Sequence, residues 1–384
     1  MLFSRAVAYA RAYNFSMIGP ESLRFVGKNQ VRWRGRTLVY FSGCDYFRLA
    51  RDPRVAAAMR AGLAKHGLNV AASRLTTGNH EIYLELEKSV ARFFGAETAL
   101  LLPDSYLAPM AVVQVLAGEF THILIDEFAH GSLRDAAQLT RCPIKYFKHR
   151  DPADLAKCVA QAGEKSRPLV LTDGMFAHDG SVAPLRAYLK GLPARGMILV
   201  DDAHGGGVLG KTGQGTLQLA GASRRRIIQT ATLSKAFGVY GGVVLASKAI
   251  RKKIIERSHI FIGTTPLPPP LASAALASLK ILRSEPAHRI RLFKNVQYLR
   301  TALIAGGWNI TDTPGPIVRL EEMSESNATA LKKRLLAAGI YPPFLKYGDA
   351  SRGVFRFVIS SEHAASQLNC LAQVLADFKR AQAR

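Results

Sequence analysis

Two short stretches decide the fold: Ile198-Leu-Val-Asp201-Asp-Ala-His204 and, about thirty residues later, Thr232-Leu-Ser-Lys235-Ala-Phe-Gly238. Each follows an apolar run of strand length, and each closes in polar or small residues. Runs apolar throughout, without alternation, are strands buried on both faces, as in parallel sheets. Outward from these two, short β-branched or leucine-rich runs recur at 98–102, 122–126, 144–148, 169–173, 198–202, 227–231 and 242–246, with helical stretches between them. Strands alternating with helices predict an α/β fold: a mainly parallel seven-stranded sheet with helices on both faces. The run ends Ile125-Asp126, Leu171-Thr-Asp173 and Val200-Asp201 place polar groups at the carboxyl edge, where open α/β sheets bind ligands.

Beyond the sheet, Pro266-Leu-Pro-Pro-Pro270 reads as a rigid connection, followed by a helix over 271–283 and a long basic helix over 287–305. Phe355-Arg-Phe-Val-Ile359 reads as a strand within a small α+β unit. The expected organisation is an N-terminal segment, 1–50, packed on the small domain, a large ligand-binding domain, 51–285, and a small C-terminal domain, 286–384. A chain of 384 residues accommodates this division.

The balance of 52 basic and 28 acidic residues gives a net charge of +24, which favours anionic partners. Its dense clusters, Arg224-Arg225-Arg226 and Arg251-Lys252-Lys253, are not interleaved with aromatics, so neither nucleic-acid binding nor membrane insertion is expected. No apolar run approaches the roughly 20 residues needed to cross a bilayer. The N-terminus carries Arg5 and Arg11 without acids but lacks the apolar core of a secretory signal, and a plain helix is expected there in preference to a transit peptide. Cys44, Cys142, Cys158 and Cys370 show no metal or redox spacing. Reduced thiols, a cytoplasmic location and no bound metal follow as expectations.

Gly205-Gly-Gly207-Val-Leu-Gly210 matches G-x-G-x-x-G. It follows the fifth strand instead of the first, and Lys211-Thr-Gly-Gln-Gly starts a helix poorly, so a dinucleotide loop is not expected. Asp201 and Lys235 suggest a different ligand. A lysine in a small-residue loop can form a Schiff base with an aldehyde, and a strand-end aspartate can hold a pyridine nitrogen protonated. His204 lies three residues beyond Asp201, and His130, in Phe128-Ala-His130-Gly-Ser, follows another strand and suits stacking on a flat ring. Thr232 offers a hydroxyl suited to phosphate, while Ala236 and Gly238 allow close backbone approach. This constellation suits pyridoxal 5'-phosphate.

Asp173-Gly-Met-Phe, Asp179-Gly-Ser-Val-Ala-Pro184-Leu, Asp201-Asp-Ala-His204-Gly-x-Gly and Thr232-x-x-Lys235-x-Phe-Gly stand in this chain order. Over about residues 36–380 the chain resembles the α-oxoamine synthases, fold-type I pyridoxal phosphate enzymes, and most of all their oxononanoate synthase and aminoketobutyrate ligase branch. The resemblance implies that Lys235 carries the cofactor, Asp201 pairs with the pyridine nitrogen, His204 binds the ring oxygen and His130 stacks on the ring. It implies a phosphate site at Ser105, Tyr106 and Thr232. Thr265 would reach the phosphate of a neighbouring subunit, which makes the protein a homodimer. Arg356 would clamp the substrate carboxylate with its bidentate fork.

The resemblance also has departures. Cys44, in Ser42-Gly-Cys44-Asp-Tyr46, replaces an asparagine that contacts substrate, Ala177 replaces a serine, and Tyr83 a histidine; Asn69-Val-Ala-Ala72 replaces a glycine-rich stretch, and Asp104 precedes Ser105. The activity implied is decarboxylative condensation of a small amino acid with an acyl thioester, carried by coenzyme A or an acyl carrier protein, to an aminoketone. An aminotransferase or other amino-acid lyase using the same Lys235 and Asp201 is the alternative, and a non-catalytic basic binding protein the remote one.

Overall fold

The computed structural model describes residues 22–345 and 353–382; the stretch with Arg5 and Arg11 lies outside them. In chain order the strands are β1 (Arg24–Phe25), β2 (Gln30–Trp33), β3 (Arg36–Tyr40), β4 (Thr98–Leu102), β5 (His122–Asp126), β6 (Ile144–Phe147) and β7 (Pro168–Asp173). They continue with β8 (Met197–Asp201), β9 (Ile227–Thr232), β10 (Gly242–Ala246), β11 (Ile317–Arg319), β12 (Ile340–Tyr341), β13 (Phe344–Leu345) and β14 (Val354–Val358). The chain forms two units. One joins Leu49–Ala177 to Ser181–Ala287; the other gathers the N-terminal strands up to Arg48, His178–Gly180 and the chain from His288.

The first unit holds a seven-stranded sheet in the order β4-β10-β9-β8-β7-β5-β6. Only β10 runs against its neighbours; β9, β8, β7, β5 and β6 are parallel. Successive strand residues face opposite layers, so two cores form. Ile123, Ile125, Leu169, Leu171, Leu199 and Ile228 pack into one, and Leu124, Val170, Ile198, Val200 and Ile227 into the other. Both faces are therefore covered, as the uninterrupted apolar runs require. Truncating a residue such as Leu171, fully buried, costs about 2–5 kcal/mol.

Local signals set the helices. Asp151 caps Pro152–Ala162 by accepting from the amides of Ala153 and Asp154, with proline at the first turn. Glu81–Phe94 ends at Gly95, whose φ of 60° closes the helix in the left-handed region. Two expectations shift. The strand read over 198–202 ends at Asp201, because Asp202 turns its carboxylate into a buried pocket. The helix read over 271–283 starts earlier: Pro269 opens helix Pro269–Ser284, which lies against helix Pro53–His66 so closely that a Cβ on Gly62 would stand 2.3 Å from the Ser273 hydroxyl.

The second unit is α+β. β1, β2 and β3 form an antiparallel ribbon that β12 joins in parallel, Ile340 opposite Val39. β11, β14 and β13 form a second antiparallel sheet. Helix Ala287–Ala305 buries Leu292, Val296, Leu299 and Leu303, and Ala365–Gln382 buries Leu368, Leu371 and Leu375, both at helical period.

Candidate active site

Register brings the acids together. In the parallel pair β7–β8, Asp173 stands opposite Asp201, and both are buried at the carboxyl edge. Asp201 accepts from the Ala203 amide at 3.1 Å through Oδ1 and from the Ser132 hydroxyl at 3.3 Å through Oδ2. Ser132 Oγ also lies 2.9 Å from His130 Nδ1, so one hydroxyl stands between the imidazole and the Asp201 carboxylate. The Ser132 amide donates to the same Nδ1 at 3.2 Å, leaving Nε2 to carry the ring proton of a neutral imidazole. Asp173 in turn accepts from the His130 amide at 2.7 Å.

Burial and the neighbouring Asp201 push Asp173 well above the ordinary carboxylate range, against the pull of the His130 amide and the charge of Lys235. His130 sits at an exposed rim, yet desolvation on its inner side lowers its pKa, and Lys235 adds to the lowering while Asp201 opposes it. Lys235 thus acts electrostatically on both, and the strand ends collect one amine, two carboxyls and an imidazole. His204 is buried in the turn after β8.

The Lys235 loop is tightly wound. The Leu233 amide donates to the Gly241 carbonyl, Gly238 to Lys235, and Val239 to Leu233, all at 2.9 Å. Gly238 has φ 64°, and a Cβ there would stand 2.3 Å from the Ala50 nitrogen, so glycine is required on both counts. Thr232 Oγ1 accepts from the Ser234 amide at 3.0 Å and lies 3.0 Å from the Ser234 hydroxyl, which is on the exposed side of the loop.

On the other side of β10, Ser105 and Tyr106 lead into helix Leu107–Leu116, whose N-terminus has no side-chain cap. Gly242 pairs with both Leu102 and Thr232, and a Cβ on it would meet the Asp104 carbonyl at 2.4 Å and the Ser105 Cα at 2.7 Å. The absent side chain is what lets the Ser105 loop fold down beside the Thr232 strand end. Asp104 accepts from the Tyr106 amide at 2.6 Å and from the Tyr240 hydroxyl at 2.7 Å. That amide is already engaged, so of the expected anion donors the Ser105 side of the loop is the better placed. The Tyr106 hydroxyl donates to Asp135, and its ring meets His130 edge-on at 5.9 Å.

This donor set fits pyridoxal phosphate: an acid for a ring N–H, an amine, an imidazole, and an uncapped helix start beside small residues for phosphate. Thr265 follows helix His259–Gly263 and is exposed. Arg356 and Cys44 lie in the other unit. Arg356 is half-buried on β14, and the wholly buried Tyr46, raised well above its ordinary value by burial and then by the Cys44 thiol, also senses the Arg356 charge. Cys44, Tyr46 and Arg356 are therefore one cluster.

Sequence reasoning missed Ser132, and it placed Asp173 at the ligand-binding edge without giving it a role in the site. Ser132 was signalled by its i+2 spacing from His130 at a helix start, and Asp173 by its place at a strand end next to that of Asp201. The replacement at Tyr83 belongs to packing: the phenol is buried, donates to the Leu267 carbonyl at 2.6 Å and is pushed up to about 12 by burial. The basic clusters are also largely tied down. Arg224 donates to the Phe94 carbonyl, Arg226 to the Leu189 and Pro193 carbonyls, and Arg251 to Glu87.

Comparison with known proteins agrees with this arrangement. The family model "aminotransferase class I and II" matches residues 39–375. The 8-amino-7-oxononanoate synthase of Methylococcus capsulatus is 35% identical over 350 residues, 89% of each chain. That of Thioalkalivibrio sulfidiphilus is 34% identical over 345 residues, 89% of this chain and 88% of the relative. Among solved structures, the serine palmitoyltransferase of Sphingomonas wittichii superposes at a TM-score of 0.88 with 25% identity, covering 100% of this chain and 97% of that one.

Proposed function

We propose that this chain, which belongs to the aminotransferase class I and II family and within it to the α-oxoamine synthases, is a pyridoxal phosphate-dependent acyltransferase. It joins a small amino acid to an acyl thioester, with loss of carbon dioxide and of the free thiol, to give an aminoketone. The observation that carries this reading is the convergence of Lys235, Asp201, His130 and Asp173 at the carboxyl edge of one parallel sheet. When bound, the cofactor supplies an electron sink for the carbanion formed at the amino acid's α-carbon.

The protein's own groups do the rest. Lys235 would hold the cofactor covalently, and its freed amine would be placed to take the α-proton. The Asp201 carboxylate keeps a proton on the ring nitrogen, and the Ser132 hydroxyl and Ala203 amide hold it in place. His204 binds the ring oxygen. Neutral His130, with its proton on Nε2, stacks on the ring and presents a hydrogen-bond donor to the acyl carbonyl. Ser105 and Thr232 would hold the phosphate, joined by Thr265 from the partner protomer of a homodimer, while Tyr106, its amide on Asp104 and its hydroxyl on Asp135, flanks them. Arg356 receives the substrate carboxylate through its planar fork, with Cys44 beside it. The acyl group arrives on coenzyme A or an acyl carrier protein, whose acidic groups suit the net charge of +24. No helix among the described residues is long and apolar enough to cross a membrane.

Absorption spectra test the reading. A visible band from lysine-linked cofactor should survive dialysis and vanish in Lys235→Ala, and incubation with amino acid and acyl thioester should release thiol. No band even with added cofactor defeats the reading; a keto-acid product without thiol release makes the chain an aminotransferase.

A further inference from the structure

Asp202 is fully buried, immediately after the cofactor-facing Asp201, and faces away from it into a cage of missing side chains. A Cβ on Gly174 would stand 2.5 Å from its Oδ1, one on Gly205 2.1 Å from Oδ1, and one on Gly215 2.0 Å from Oδ2. These glycines come from three backbone segments: the end of β7, the turn after His204, and the start of helix Thr216–Ala220. Inside the cage three donors converge: the Thr216 amide at 2.7 Å, the Thr216 hydroxyl at 2.6 Å and Gln229 Nε2 at 2.7 Å. The backbone of Asp202 is fixed as well, its amide donating to Thr230 and its carbonyl accepting from Gly206.

The loop that completes the cage also touches the lysine loop. Gly207 has φ 82°, and a Cβ on it would come within 2.6 Å of the Ala236 Cβ, beside Lys235. The glycine-rich segment that resembles a dinucleotide loop is thus explained by two close approaches, one to Asp202 and one to Ala236. From this geometry, and resting on the cofactor reading above, we propose that Asp202 is the positioning residue of the site: its ionised carboxylate clamps the turn that aims Asp201 and His204.

The state of the carboxyl matters because the ionised form accepts from all three groups around it. A proton on Asp202 would turn one of them from donor to acceptor: the Thr216 hydroxyl by rotating its hydrogen, or Gln229, whose buried Oε1 has no partner, by rotating its amide. Burial raises the carboxyl to about 6, against the Thr216 and Gln229 hydrogen bonds and with a further push from Asp201. The charged groups facing it among the described residues are Asp201 on its own segment and Arg224 before β9. The clamp is set above that pH and released as pH falls through it.

Asp202→Asn imitates the protonated clamp. Cofactor dissociation constants for wild type and Asp202→Asn are measured by equilibrium dialysis at pH 7.5 and pH 5, with amide hydrogen exchange across 201–216 measured on the cofactor-free proteins. The wild type should bind roughly tenfold more weakly at the lower pH; the variant should bind at that weaker level at both, with faster exchange across the segment. If Asp202→Asn does not fold, Thr216→Val, which removes one donor and keeps the shape, should shift both readouts the same way by a smaller amount. Either readout unchanged from wild type overturns the assignment. A wild type that binds no cofactor refutes the reading of the site, and exchange alone then decides for or against the clamp.

Discussion

The cluster at the strand ends and the cluster around Arg356 are built on opposite plans. At the strand ends the site residues are themselves the network: the His130 amide donates to Asp173 at 2.7 Å, and the Ser132 hydroxyl, with one proton to give, stands 2.9 Å from His130 Nδ1 and 3.3 Å from Asp201. Around Arg356 the network stands behind the site residues. His363 accepts from the Ser360 amide at 2.9 Å, lies 3.2 Å from the Tyr40 carbonyl and stacks on Phe41. Arg48 donates to Asn29 at 2.8 Å and to the Tyr40 and Ser42 carbonyls. These bonds fix the strand that runs on into Ser42-Gly-Cys44, and the end of β14, which carries Arg356. Substitution in the first cluster should damage chemistry directly. In the second, geometry and chemistry should separate.

The largest effect is expected of Lys235→Ala, which should lower turnover at least about a thousandfold, since the proposed function makes Lys235 both the covalent anchor and the base. Residual turnover within tenfold of wild type would take the reaction away from the strand ends.

The next is a stability effect confined to the second cluster. Burial, with the Arg48 charge adding, lowers His363 to about 3, so the folded chain keeps it neutral while the unfolded chain, near 6.5, binds a proton. Its contribution is fully present above pH 6.5 and is lost as pH falls toward 3, roughly 5 kcal/mol in all. Both tryptophans, Trp33 and Trp308, lie in that unit, so urea unfolding followed by tryptophan fluorescence between pH 7 and 4.5 reports on it alone. His363→Asn should flatten the pH dependence; an unchanged slope would remove His363 as its cause.

Arg356→Lys should raise KM for the amino acid roughly ten- to a hundredfold and leave the cofactor spectrum unchanged, because a point charge replaces a bidentate fork. A change of kcat alone would move Arg356 out of substrate binding. The smallest effect is expected of Ser132→Ala, which removes one long, 3.3 Å hydroxyl donor to the Asp201 carboxylate and should weaken cofactor retention by about fivefold. No change would show that the Ala203 amide suffices to hold Asp201.

Much of this was legible in the sequence because buried parallel strands are apolar from end to end. The runs at 98–102, 122–126 and 242–246 match the strands, and the boundaries of the other four runs of the large sheet and of the strand read over 355–359 lie within a residue; the short strands at 24–25, 30–33, 36–40, 317–319, 340–341 and 344–345 were not read. Lys235, Asp201 and His130 were visible because strand ends in such a sheet face ligands. The interlock was not, since it depends on register: Asp173 meets Asp201 only through the β7–β8 pairing, and Ser132 meets Asp201 only when helix Gly131–Ala137 is docked. The role of the glycines at 205, 207 and 215 was equally hidden, because a missing Cβ acquires meaning only from what fills its place.

The central claim is that Lys235 carries the cofactor at these strand ends. Reduction of the cofactor-loaded protein with borohydride, followed by peptide mapping by mass spectrometry, tests it most directly. One pyridoxyl-modified lysine per chain, at Lys235, is expected. Modification at another lysine, with Lys235 unmodified, would contradict it.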